Sequence, residues 1–172
     1  VNTLSALGII KGFPDGSFKP DQNVTRAEMA KMIYVMKNAG RDDGAVYFKN
    51  SVNAFYDVKG HWAEGYVNYA YTLGIIAGKG NGRFDPDASV TGLEAAKMLL
   101  VTLGYNANIE GLVGTQWAIR SAALAQNSNL FDKYAVGLGE GAPRQYAAQM
   151  IVNALDAAIV EYVDGVAKKQ YD

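Results

Sequence analysis

The sequence has no cysteine and one histidine, His61, in 172 residues. This excludes thiol catalysis, zinc ribbons and His-based metal clusters. With 16 basic against 17 acidic side chains, the formal charge is −1. The chain therefore lacks the concentrated basic face that a nucleic-acid partner requires. No apolar run reaches the ~18 residues of a membrane span, and no export signal is visible at Val1. No pair of carboxylates stands clear of turn or helix-cap duty, as glycan hydrolysis would require. We read the chain as non-enzymatic, with no cofactor and no metal. Its length is enough to bury roughly 70% of the unfolded surface without staples.

What is present is a duplication. Leu7-Gly8-Ile9-Ile10 returns 66 positions on as Leu73-Gly74-Ile75-Ile76. Asp15-Gly16-Ser17-Phe18-Lys19-Pro20 returns as Asn81-Gly82-Arg83-Phe84-Asp85-Pro86, and Val24-Thr25-Arg26-Ala27-Glu28 as Val90-Thr91-Gly92-Leu93-Glu94. Ala30-Lys31-Met32 and Ala96-Lys97-Met98 follow at the same offset. A constant offset across separate blocks marks duplicated structural units. Phe55 to Ala63 has no counterpart after Val1, so the chain is expected to begin inside a repeat.

The spacing of Trp62, Ala63, Tyr66, Val67, Ala70 and Leu73 predicts a helix ending at Gly74. Asn2 to Leu7 reads as the tail of its counterpart. A glycine-rich loop follows, pinned by Phe84 and Pro86. Thr25 with Glu28, and Thr91 with Glu94, form capping boxes that start a second helix in each copy. Met29, Ala30, Ile33 and Met36 make one buried stripe; Ala95, Ala96, Leu99, Leu100 and Leu103 make the other. In a worn third copy, Thr115 is expected to cap a helix at Trp117, and Ala142-Pro143-Arg144-Gln145 replaces Val24-Thr25-Arg26-Ala27. Pro143 suits a first helical position. The stripe from Ala147 through Met150, Ile151, Ala154, Leu155, Ala158 and Ile159 to Tyr162 predicts one long helix.

These residues resemble the S-layer homology (SLH) family. The likeness rests on Phe55-x-Asp57-Val58, His61-Trp62-Ala63, Leu73-Gly74-Ile75-Ile76-x-Gly78, Asn81-Gly82-x-Phe84-x-Pro86 and above all Thr25-Arg26-Ala27-Glu28. The resemblance implies an all-α fold of three helix–loop–helix repeats, arranged pseudo-threefold around a central helical core. The expected divisions are repeat one at 1–40, a linker at 41–54, repeat two at 55–104, a linker at 105–114, a degenerate repeat three at 115–163 and a tail at 164–172. It further implies secretion to the bacterial cell wall or surface layer. There the module would anchor its parent non-covalently by gripping an anionic, pyruvylated, peptidoglycan-linked polysaccharide in grooves between repeats. Other surface-layer subunits are further expected partners. The alternative is a lattice-contact module whose glycan pockets have partly decayed.

Comparing the copies separates roles. Thr25, Glu28, Thr91 and Glu94 are read mainly as caps, with Thr25 and Glu28 also expected at the glycan site. Arg26 and Arg144 are the expected anion contacts, placed beside free helix N-terminal amides. Gly92, in the arginine position of repeat two, leaves that pocket silent. Trp62 and Trp117 offer faces for a sugar, although their helical positions favour core packing. Asp57 reads either as a cap of the Trp62 helix or as a groove residue. Gly78 would allow close approach of a ligand, and turn geometry alone also explains it. His61 is read as local packing, and Asp15-Gly16 and Asn81-Gly82 as turns rather than calcium loops.

Overall fold

A computed structural model describes residues 8–10, 12–50 and 54–170. The elements are α1 (Arg26–Lys37), α2 (Gly44–Tyr47), a 3-10 turn (Tyr56–Val58), α3 (Glu64–Thr72), α4 (Gly92–Thr102), α5 (Trp117–Asn127), α6 (Arg144–Asp156), β1 (Ile159–Val163) and β2 (Val166–Gln170). The expected tail of a first helix at Asn2 to Leu7 lies outside the described residues.

The expectation of an all-α fold is wrong. α6 stops at Asp156, Ala157 turns extended (φ −79°, ψ 149°), and β1 pairs antiparallel with β2. The apolar spacing that suggested one long helix crosses a change of period. Ile159, Val160, Val163 and Val166 are β-branched, and the Asp164-Gly165 pair between the strands has positive φ at both residues (52° and 77°). That is the chemistry of a tight hairpin turn. The hairpin docks on the end of α4, where Val160 N–H donates to Leu103 O at 2.8 Å. Tyr162 Oη accepts from Asn106 N–H and donates to Glu110, both at 2.8 Å.

α1 and α4 each begin with a complete capping box: the Thr25 hydroxyl accepts from Glu28 N–H and the Thr91 hydroxyl from Glu94 N–H, with each glutamate returning to the cap amide. α6 has Pro143 as its cap residue, one position before the first helical turn, and no side-chain cap. α5 is capped by Gln116 and not by Thr115, again without a side-chain bond. α3 begins at Glu64, two residues later than the spacing of Trp62 suggests.

The three helix starts meet in a closed ring. Val24 N–H donates to Ala142 O (2.9 Å), Ala142 N–H to Val90 O (2.8 Å), and Val90 N–H back to Val24 O (2.9 Å). All three residues are fully buried. Around the ring lies a second set of bonds that donate in the opposite rotational sense. Arg26 and Ala27 amides donate to Ala88 and Pro86 carbonyls, Gly92 and Leu93 to Glu140 and Leu138, and Arg144 and Gln145 to Gln22 and Pro20. Each helix start is thus completed by the loop of the next unit in the cycle, so no unit is finished alone. The helix stripes then pack into one core, with Met29, Ile33, Leu99, Leu100, Met150 and Ile151 inaccessible. The segment after α1 joins this core: Tyr34, Phe48 and Tyr69 stack edge to face. Tyr34 and Tyr66 hydroxyls bond the Asp43 and Asp42 carboxylates.

Candidate functional site

Arg26 is the first residue of α1, and its side chain runs back over the helix start and across the ring into the next unit. It is only 5% exposed. Nε donates to Phe84 O at 2.7 Å, one terminal nitrogen pairs with Glu94, and the guanidinium lies 4.5 Å from the Phe84 ring centre. Arg144, first in α6, repeats the arrangement toward the first unit. Its Nε donates to Phe18 O at 2.9 Å, its guanidinium lies 4.9 Å from the Phe18 ring, and a terminal nitrogen stands 3.6 Å from Glu28. Burial lowers the pKa of both guanidiniums, and the facing glutamates oppose that shift.

Each arginine forms the inner wall of a cavity. The first, about 370 Å³, is lined by Arg26, Glu94, Lys97, Met98 and Trp117, together with the Ile75 to Lys79 loop, Val113 and Gly114. The second, about 340 Å³, is lined by Arg144, Glu28, Lys31, Met32 and Trp62, with Gly8, Ile9, Ile10, Thr25 and Asp87. They are the same site built twice. In each, the arginine comes from one unit and the glutamate, lysine, methionine and Ile-Ile pair from the next. The tryptophan comes from the segment that follows.

The third position is closed. Gly92 stands where an arginine would begin, and a Cβ there would fall 2.8 Å from Tyr134 Cζ and closer still to its hydroxyl. Tyr134 packs against Phe131 and Tyr146, the latter in the position of the capping glutamate.

Three readings of the sequence change here. The helix N-terminal amides at the grooves are not free for an anion: the first two of α1, α4 and α6 are taken by neighbouring carbonyls, and those of Glu28 and Glu94 by threonine hydroxyls. Trp62 is not core, since it is 52% exposed at the mouth of the second cavity. Asp57 neither caps the Trp62 helix nor lines either of these two cavities. Its carboxylate accepts Phe84 and Asp85 N–H at 2.9 and 2.8 Å, holding the carbonyl that Arg26 grips. Gly78 lies on the wall of the first cavity, where a Cβ would meet Phe55 Cε1 at 2.6 Å and Arg83 O at 2.8 Å. His61 has a partner distant in sequence, Asp87, at 2.8 Å from Nε2. Lys31 and Lys97 enter the site from the repeated Ala-Lys-Met block, and Glu94 from the repeated capping box; these repeats are the sequence signal for them.

The S-layer homology domain family matches residues 1–30 and 54–96. The chain belongs to the S-layer homology family. It is 35% identical over 166 residues to a cell surface protein of Thermoanaerobacter kivui, covering 96% of this chain and 21% of that protein. It is 30% identical over 168 residues to a surface layer protein of Brevibacillus choshinensis, covering 95% and 14%. It is 40% identical over 100 residues to a cellulosome-anchoring protein of Acetivibrio thermocellus, covering 58% and 22%. The SLH chain therefore spans about a fifth or less of the length of these relatives. Its family and relatives give it a cell-wall or surface-layer location and a structural role in anchoring. Among the described residues no helix is long and apolar enough to cross a membrane.

Proposed function

We propose that this segment anchors its parent protein by binding an anionic, pyruvylated, peptidoglycan-linked wall polysaccharide in the two inter-unit grooves. The observation that carries this reading is the recurrence of one side-chain set, arginine, glutamate, lysine, methionine and a tryptophan, around two cavities of similar size. A scaffold needs the capping glutamate twice; it does not need a tryptophan lining both grooves. An exposed indole face suits the apolar face of a sugar ring, and the cations suit a carboxylate. Arg26 and Arg144 supply fixed charge at the groove floor, with Thr25 and Glu28 shaping the wall of the second groove. Catalysis is not part of the proposal.

The test is sedimentation with purified bacterial wall sacculi before and after the secondary polysaccharide is stripped. Pelleting with intact sacculi that disappears on stripping is the expected result. Binding that survives stripping would move the target to peptidoglycan itself. Failure to pellet, with concentration-dependent self-association, would favour a lattice-contact role.

A further inference from the structure

The two grooves share a lysine at the same position, and its surroundings differ. In the second groove, Lys31 Nζ stands 3.4 Å from Asp42, which belongs to the segment between α1 and α2. In the first groove the segment after α4 contributes Val113 and Gly114 to the wall and, among the described residues, no carboxylate paired with the lysine. Lys97 is half-buried beside Trp117, its Nζ 5.5 Å from the ring centre. Among the described residues it has no hydrogen bond or ion pair. Glu94, the carboxylate whose charge acts on it, is already taken by Arg26 and by Lys79 at 3.0 Å.

We infer that Lys97 is the carboxylate-binding residue of the first groove, and that Asp42 withholds the same role from Lys31 in the second. The inference rests on the glycan-binding reading and divides its labour. The first groove selects strongly for the sugar carboxylate, and the second holds the same glycan chiefly by stacking on Trp62, with little selection for charge.

The physical argument is one of competition. A lysine already facing a carboxylate gains little from a second one, because the incoming anion must displace Asp42 or be repelled by it. An unpaired ammonium partly removed from water gains a charge-assisted hydrogen bond outright. Burial, and then the charge of Arg26, depress the Lys97 pKa against a smaller opposing pull from Glu94. An arriving anion reverses that balance. Trp117 completes the site with an apolar face beside the ammonium.

The chain offers its own reporters, since its two tryptophans, Trp62 and Trp117, lie one in each groove. Trp62→Phe leaves only Trp117 fluorescence, and Trp117→Phe leaves only Trp62. Each is titrated with a methyl glycoside bearing a pyruvyl ketal, and with the same glycoside lacking the ketal. The Trp117 signal is expected to favour the ketal sugar by about tenfold or more, and Lys97→Met to abolish that preference. The Trp62 signal is expected to discriminate by less than about threefold, rising toward the Trp117 value with Asp42→Asn. The asparagine keeps an oxygen for the Tyr66 hydroxyl. Equal discrimination by both reporters, or an unaltered preference in Lys97→Met, would overturn the inference while leaving glycan binding intact. Silence of both reporters toward both sugars, together with no pelleting on sacculi, would overturn the glycan reading itself.

Discussion

Gly92 and Tyr134 occupy one another's space: the side chain missing from the first is replaced by the ring of the second. The Tyr134 hydroxyl is buried without a hydrogen-bond partner among the described residues, and burial followed by the charge of Glu140 pushes its pKa to about 12. The ring therefore fills volume, and the hydroxyl contributes nothing to stability. Tyr134→Phe is expected to leave the melting temperature unchanged or to raise it, because an unpaired buried hydroxyl costs about 1–3 kcal/mol. Gly92→Ala is expected to lose about 1–3 kcal/mol to overpacking. Urea unfolding of both variants and of the pair checks this. Additive effects would show that the two residues do not share the space.

Thr25 and the sugar-facing residues do separate work. The Thr25 hydroxyl accepts from Glu28 N–H at 3.0 Å inside a complete capping box. Thr25→Ala is expected to cost about 1 kcal/mol, or about 2–4 °C in melting temperature, with little change in affinity for sacculi. Arg26→Ala is expected to lower both, because Arg26 is buried against the Phe84 carbonyl as well as lining the groove. Calorimetry and sedimentation on the same samples separate the two effects.

Lys97 is expected to trade stability for binding. Its folded pKa lies below its ordinary 10.5, with burial as the leading cause. The protonated form is thus disfavoured by folding. That cost is full at neutral pH and fades as pH rises through the folded value toward 10.5. After allowance for its partial exposure, Lys97→Met is expected to raise the melting temperature by about 1–2 °C at pH 7. The gain should shrink toward pH 10. A loss at pH 7 would mean that the ammonium has a stabilising partner.

Glu94 gives the opposite pH dependence. Burial pushes its carboxyl upward, but the Thr91 amide, Arg26 and Lys79 outweigh that and hold it below 4.5. Its folded pKa is depressed, so its contribution is present above the unfolded value and is lost as pH falls through the folded one. Glu94→Gln is expected to cost about 2–3 kcal/mol at pH 7, where it leaves Arg26 buried without its carboxylate. The difference from the unmodified chain should narrow below pH 4.5. A constant difference from pH 7 to pH 3 would contradict this.

Sequence reading reached as far as local rules reach. The capping boxes announced themselves, because threonine and glutamate three apart satisfy the same two amides wherever they occur. The buried stripes of α1 and α4 followed from helical periodicity. The hairpin is hidden because Ile159 and Tyr162 also fit a helical spacing; the Asp164-Gly165 pair is the local turn signal that distinguishes it. Trp62 was misread for a related reason: its spacing fits α3, yet the helix starts two residues later and leaves the indole at the groove mouth. Comparing copies singled out Arg26, but no pattern within one copy reveals that Arg26 meets Glu94 of the next. Nor did any local pattern show that neighbouring loop carbonyls already hold the helix amides. Those facts belong to the cyclic closure through Val24, Val90 and Ala142.

The central claim is that two tryptophan-bearing grooves hold the chain on the wall. Sedimentation of Trp62→Ala, Trp117→Ala and the double variant on intact sacculi tests it most directly, with circular dichroism confirming the fold of each. Each single variant is expected to retain weakened pelleting and the double variant to lose it. A folded double variant that still pellets like the unmodified chain would contradict the account.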